Sequence, residues 1–246
     1  MRPPSSLLFP PNHLTAFFWS GDTLRSRSVG ASVQHATVDV PAPPPRLLAD
    51  WQRDIASHLV LGPGDVEPLP LARARMRWPD YLRCVQAVAD WMHSLGLPDL
   101  LATSDVALMA CRGARYHHDG AQYGGAAFCN LFLSEDEGLD VHFPCTGQRI
   151  PLARGTVLLF DTGQPHAVIP RGSTGFDEAD FPPGQDRSQV FLTWELPIVH
   201  PGVACVLGVE LDTDPATALG LDEEQVWCDG APASVCAATG QWRASG

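Results

Sequence analysis

Beyond Leu100 the chain breaks into a succession of short apolar runs, DVALMACRG, GAAFCNLFL, LDVHFP, GTVLLFD, PHAVIP and RSQVFLTWEL, each bounded by Gly, Pro, Asp or Asn. Runs of roughly four to ten residues with turn formers at both ends are the pattern of an antiparallel sandwich or barrel. The last run alternates. Ser188, Val190, Leu192, Trp194 and Leu196 fall on one apolar face, and Arg187, Gln189, Phe191, Thr193 and Glu195 fall on a mixed face suited to lining a polar pocket. The expected fold is therefore mainly β with flanking helices.

The first hundred residues read as support for that core. Residues 1–45 suggest one or two extended segments ending at the stiff PAPPP stretch. From Arg46 to about Leu61, Leu47, Leu48, Trp51, Ile55 and Leu59 recur at helical spacing up to a Gly62-Pro63-Gly64 breaker. A second helix is expected from Tyr81 to Leu95, with Asp80 as N-cap, Gly96 and Pro98 at its end, and a stripe of Leu82, Val85, Ala89, Met92 and Leu95. After Pro201, ACVLGVEL reads as another strand. Residues 212–246 leave a lid, a short helix at DEEQVW and disorder all open. No internal repeat is present, and 246 residues suit one domain: support in 1–100, a core in 101–200, a strand and tail in 201–246.

Charge and cysteine content narrow the function. A net charge of −12 and a pI near 5.0 repel phosphate backbones and anionic membranes, so neither nucleic acid nor membrane is an expected partner. Every one of the 16 basic residues is Arg, which removes Schiff-base and phosphate-loop lysines. Seven cysteines without a C-x-x-C pair fit a reducing compartment. The N-terminal MRPPSSLLFPPNHL has too short an apolar run for a signal peptide, and no run approaches membrane-spanning length, so a cytoplasmic location is expected. Oligomeric state is open.

Chemistry concentrates in RYHHDG and FDTGQPHAVIP. A strand's period of two points His117 and Asp119 to one face and His118 to the other. With His166 they make two imidazoles and one carboxylate, the facial set of non-haem Fe(II) oxygenases, which leaves coordination positions open for reactants. There is no G-x-S-x-G elbow, H-E-x-x-H helix or G-x-G-x-x-G turn. Tyr116 and Tyr123 flank the H-x-D as possible hydroxyl donors or as packed rim residues. Asn130, an amide inside AAFCNLFL, needs a partner or a pocket. His118 and His142 read as surface or supporting histidines.

The order of these features, H-x-D, further strands, a Gly-led apolar strand and a distal histidine, resembles the Fe(II)/2-oxoglutarate-dependent oxygenases over about residues 105–197. The texture of HFPCTGQRIPLARGTVLLFDTGQPHAVIP and GQDRSQVFLTWEL is similar to the prolyl-4-hydroxylase-like branch. The resemblance implies a double-stranded β-helix, Fe(II) held by His117, Asp119 and His166, 2-oxoglutarate as cosubstrate, dioxygen, and hydroxylation of a small-molecule, amino-acid or peptide substrate. Asp119 disfavours halogenation, because related halogenases lack that carboxylate. The family also needs a cation for the far carboxylate of 2-oxoglutarate, and Arg187 is the first candidate, with Arg171 the second. Here Arg187 stands 21 residues past His166, where the family spacing is near ten. The intervening RGSTGFDEADFPPGQ reads as an inserted acidic loop, either a surface excursion or a cover over the pocket. The alternatives are a cupin-type metal dioxygenase without 2-oxoglutarate, and a non-catalytic β-barrel binding module.

Overall fold

The computed structural model describes residues 14–57, 61–182 and 185–244. The first 13 residues, to which most of the signal-peptide reading applies, lie outside that set. In chain order the elements are β1 (Leu14–Ser20), β2 (Thr23–Ser28), β3 (Gln34–Thr37), α1 (Pro45–Ser57), β4 (Val66–Leu69), α2 (Leu71–Arg77), α3 (Tyr81–Ser94), β5 (Asp105–Cys111), β6 (Ala114–His117), β7 (Ala126–Phe132), β8 (Leu139–Phe143), β9 (Gln148–Pro151), β10 (Thr156–Asp161), β11 (His166–Pro170), β12 (Gln189–Pro197), α4 (Pro201–Leu207), α5 (Pro215–Ala218), β13 (Gln225–Cys228), β14 (Ala231–Val235) and β15 (Trp242–Ala244).

The strands form a six-stranded sheet of order β3-β10-β7-β12-β5-β4, a four-stranded sheet of order β6-β11-β8-β9, and a five-stranded sheet of order β15-β14-β13-β1-β2. From β5 to β12 the chain passes back and forth between the first two sheets, with β8 and β9 as one hairpin, and each pairing is antiparallel. The result is a mostly β, jelly-roll-like arrangement.

Period-two patterning decides which layer each residue joins. Val190, Leu192, Trp194 and Leu196 of β12 join Cys129 and Leu131 of β7 in a cluster with Leu47 and Trp51 of α1 and Cys84, Val88 and Met92 of α3. The opposite face sends Phe132, Leu158, Phe160 and Phe191 against Leu139, Val141 and Phe143 of β8 and Ile150 of β9, the core between the two sheets. Each such side chain buried contributes roughly 1.5–3 kcal/mol. No helix among the described residues is long and apolar enough to cross a membrane.

Several elements depart from the sequence reading. The stripe of α3 is Tyr81, Cys84, Val88 and Met92, while Leu82 is 73% exposed. The larger Tyr81 and the buried thiol of Cys84 rotate the inward face by one position. Asp80 sits at the N-cap position but makes no capping bond; its carboxylate pairs with Arg83 at 3.2 Å. Residues 201–207 are helical rather than extended: Pro201 opens the helix, His200 accepts from Gly202 N–H, and Gly208 closes it in the left-handed region. QVWC of the DEEQVW stretch is a strand, because β13 pairs with β1. The first helix is described to Ser57; residues 58–60 lie outside the described set.

The inserted loop is not a plain surface excursion. Phe181 is 1% exposed within the inter-sheet core, stacks on Phe176 at 5.6 Å, and closes over Gly113. Arg112 holds the loop by donating to Phe181 O and Pro182 O, both at 2.8 Å.

One buried ion pair joins the N-terminal sheet to the core. Arg27, on β2, and Asp161, the last residue of β10, both have fully buried side chains and pair through two bonds of 2.6 and 2.8 Å. Asp161 also accepts from Gly30 N–H at 2.7 Å and Gly163 N–H at 2.8 Å, and Arg27 donates onward to Gly124 O and Ser28 O. Every polar atom of the pair thus has a partner, the condition under which buried charge is tolerated.

Candidate metal centre

His117 ends β6 and His166 begins β11, and the two strands pair with these residues directly opposite each other. A register shift follows between His166 and Val168. Such an irregularity re-aims side chains at the end of a ladder. The imidazole centroids stand 4.4 Å apart. Asp119, two residues past β6, lies 3.7 Å from His117 Nε2 through Oδ1 and 3.7 Å from His166 Nε2 through Oδ2. One ligand atom from each of the three residues lies within 4.8 Å of the others.

The backbone fixes which nitrogen each histidine offers. His117 Nδ1 lies 2.7 Å from Arg115 O, and His166 Nδ1 lies 3.0 Å from Gln164 O. A carbonyl only accepts, so each Nδ1 carries the proton and donates it, and each Nε2 presents its lone pair to Asp119 and the space between. Asp119 is itself pinned by its N–H to Thr162 O at 2.8 Å. The Thr162 hydroxyl bridges Tyr123 O and Ala126 O at 2.7 and 2.8 Å, tying the loop after Asp119 to the loop before His166.

Burial sets the electrostatics. It raises the Asp119 carboxyl, against the pull of His117 and His118, and it drives His166 down to about 3, with the charge of His117 adding to the effect. The Asp119 carboxylate, its side chain 22% exposed, has His117 and His166 within 3.7 Å, and the charge of His118 acts on it as well. A largely buried carboxylate without an arginine partner and a histidine held neutral would both be served by a divalent metal held by His117, Asp119 and His166, which would supply positive charge beside the carboxylate. The donor set fits such an ion.

The other expected residues are distributed differently. Tyr116 turns to the far face of the four-stranded sheet, packs with Ala167 and Ile169, and shares a hydrogen bond of 2.5 Å between its hydroxyl and His142 Nδ1. The period of two that aims His117 inward carries its neighbour outward. His118 also turns away, against Trp242 at a ring separation of 4.9 Å, and burial lowers its pKa. Tyr123 is at the rim, its ring edge-on to Phe128 at 5.1 Å. Asn130 points between the sheets from β7, 8% exposed, with Oδ1 unpartnered.

Both candidate arginines have partners of their own. Arg171 is exposed and holds Asp136 and Asp140, each at 3.0 Å. Arg187 precedes β12, reaches Asp180 O at 3.4 Å, and lies beside the Gln185 amide. From Arg187 to Thr193, which pairs with Asn130, the chain runs about 20 Å at strand rise. Phe181 of the inserted loop sits in the inter-sheet core, and Arg187 precedes Gln189, the first ladder residue of β12. None of the six strands β3, β4, β5, β7, β10 and β12 contains an arginine. What the interior offers instead is neutral: Asn130 Oδ1, Thr193 Oγ1 and Gln189 Oε1 are all buried without a partner. Sequence reasoning did not single out Thr162, Thr193, or the Arg27–Asp161 pair that steadies the loop carrying His166. Only the alternation of β12 pointed toward Thr193.

No protein-family model and no curated protein matches the chain. Among solved structures, the viral collagen prolyl hydroxylase vCPH of Paramecium bursaria Chlorella virus-1 is similar at a TM-score of 0.40 and 9% identity, over 67% of this chain and 89% of that one. EvdO2 of Micromonospora carbonacea var. aurantiaca is similar at a TM-score of 0.41 and 13% identity, over 77% of this chain and 92% of that one. EvdO2 complexed with 2-oxoglutarate is similar at 0.36 and 15% identity, over 66% of this chain and 74% of that one.

Proposed function

We propose that the chain is an Fe(II)- and 2-oxoglutarate-dependent dioxygenase on a double-stranded β-helix, hydroxylating an unactivated C–H bond of a small-molecule, amino-acid or peptide substrate. The observation that carries the reading is the convergence of His117, Asp119 and His166 with both Nδ1 protons committed to backbone carbonyls. The passage of β5 to β12 back and forth between two sheets supports the fold. Iron bound by these residues would supply dioxygen activation coupled to oxidative decarboxylation of 2-oxoglutarate.

The chain's own residues supply orientation and dryness. His117 and His166 through their Nε2 atoms and Asp119 through its carboxylate would hold the ion, and a set of three protein ligands would leave positions for reactants. Phe143 and Phe160 flank His166 at 5.9 and 4.9 Å and keep water from that side. In place of an arginine, the Thr193 hydroxyl, buried without a partner, and the NH2 group of Asn130, opposite it across β12 and β7, are the donors suited to the cosubstrate's far carboxylate.

A metal dioxygenase that does not use 2-oxoglutarate is the second reading, favoured by the absence of arginine from the six-stranded sheet. Anaerobic addition of Fe(II) and 2-oxoglutarate separates the two. The first reading expects a visible charge-transfer band that weakens in Asn130→Ala and Thr193→Val and persists in Arg187→Ala. Metal binding without any band favours the second.

A further inference from the structure

The outer face of the six-stranded sheet, the side packed by α1 and α3, holds a cavity of about 480 Å³. Trp194 of β12 and Val106 of β5, paired across the two strands, line it from the sheet. Trp78 and Tyr81 line it from the join between α2 and α3, and Leu101 and Ser104 from the single 3-10 turn that leads into β5. Trp194 belongs to the layer opposite the one that holds Phe160, the neighbour of His166, so the cavity and the candidate metal centre lie on opposite sides of the sheet. It has room for about 16 waters at roughly 30 Å³ each, within the size range of small-molecule sites. Leu82 also borders it and is 73% exposed, apolar surface that a ligand would take out of water.

The polar groups of this cavity are of one kind. Its one charged side chain is Arg75, and no Asp or Glu lines it, in a chain whose net charge is −12. The arginines on either side of Arg75 in α2 are committed, Arg73 to Asp54 and Arg77 to Asp50. Among the described residues Arg75 has no such pair; its guanidinium lies over the Tyr81 ring, 5.8 Å from the centroid. Stacking occupies the face of a guanidinium and leaves its N–H edge for a carboxylate. Trp78 adds a second donor: its side chain is 1% exposed and its indole N–H, buried, meets no acceptor. Buried donors are ordinarily satisfied, so this one stands out. The Ser104 hydroxyl is already spent, donating to Leu100 O at 2.7 Å. The cavity thus combines a cation and an unpaired N–H with three aromatic side chains, Trp78, Tyr81 and Trp194.

We propose that this cavity is a second ligand site, which takes a small organic acid with an aromatic body: the carboxylate on Arg75, the ring among Trp78, Tyr81 and Trp194. The inference goes beyond the oxygenase reading and is independent of it, because none of these side chains belongs to the metal centre. A cation with the same body is repelled by Arg75. An aliphatic dicarboxylate such as 2-oxoglutarate has the charge without the ring that fills the aromatic part.

The test is calorimetry on the full chain with three probes that share one body: 2-naphthoate, 2-naphthylmethanol and 2-naphthylmethylammonium. The expected result is one equivalent of naphthoate, held about tenfold or more above the alcohol, the size of a charge-assisted bond. Arg75→Gln removes that preference, and Arg75→Glu turns it to the ammonium, a gain that misfolding does not produce. Ala102→Trp, which fills the cavity from its exposed rim, weakens all three probes. Fe(II) and 2-oxoglutarate added without oxygen leave naphthoate binding unchanged, which separates this cavity from the metal centre. Equal binding of naphthoate and alcohol, a preference that survives Arg75→Glu, or displacement of naphthoate by Fe(II) and 2-oxoglutarate overturns the proposal. Absence of naphthoate binding overturns it as well; if light scattering then shows a dimer that Arg75→Glu dissociates, the cavity receives a second copy of the chain instead.

Discussion

Replacing Arg27 by Met is the sharpest test of how the candidate site is held. The Asp161 carboxylate accepts four bonds, two from Arg27 and one each from Gly30 and Gly163 N–H. The substitution leaves a fully buried carboxylate with only the two backbone donors, and it strips Gly124 O and Ser28 O of the guanidinium. Breaking a buried pair from one side costs about 3–5 kcal/mol. At about 2–4 °C per kcal/mol for a chain of this size, the melting temperature should drop by about 6–20 °C. Urea unfolding followed by tryptophan fluorescence gives the free energy. In the double variant Arg27→Met/Asp161→Leu the buried charge is gone, so its loss should be smaller than the sum of the two single losses by about 2 kcal/mol. A single-variant loss below about 1 kcal/mol would refute the view that this pair anchors the segment running to His166.

Three further outcomes follow from particular groups. The unfolded His166 imidazole takes up its proton near 6.5 and the folded one only near 3, so between those values the unfolded chain binds the extra proton. The metal-free protein should therefore lose stability as pH falls through that window; urea midpoints from pH 7 to 4 check it, His166→Phe should show a shallower slope, and equal slopes would contradict it. Phe181→Ala should cost about 3–5 kcal/mol, as a core truncation does, whereas a residue on a surface excursion would cost under about 0.5 kcal/mol. Gly113→Ala places a Cβ 2.4 Å from the Phe181 ring at a φ of +67°, so it should destabilise the wild-type background and cost less in Phe181→Ala, as read by the same unfolding experiment.

What the sequence disclosed was what repeats along a chain or sits close together on it. The alternation in RSQVFLTWEL assigned Leu192 and Trp194 to one layer and Phe191 to the other, and β12 divides its side chains that way. His117 and Asp119 are near neighbours in sequence and do come together, but β6 ends at His117, so it is the Asp119 N–H bond to Thr162 O and not the strand period that sets Asp119, while the register of β6 with β11 brings His166 to them. The arginines were harder, because a spacing argument assumes the strand continues. Arg187 lies before the ladder begins, and Arg171 is held by Asp136 and Asp140, contacts formed only when β8 and β11 pair. Tyr116 was weighed by its nearness to His117, although the same period of two that aims the histidine inward turns the tyrosine to His142. The α4 segment looked like a strand by hydrophobicity alone; Pro201 and Gly208, a helix start and a helix stop, carried the contrary signal.

Equilibrium titration of the anaerobic protein with Fe(II) tests the central assignment most directly. The account predicts one equivalent of tightly held metal at neutral pH, weakening as pH falls because protons compete for the three ligands, and lost in His117→Ala, Asp119→Ala and His166→Ala alike. Retention of that equivalent in the Asp119→Ala protein, or stoichiometric binding that none of the three substitutions alters, would contradict it.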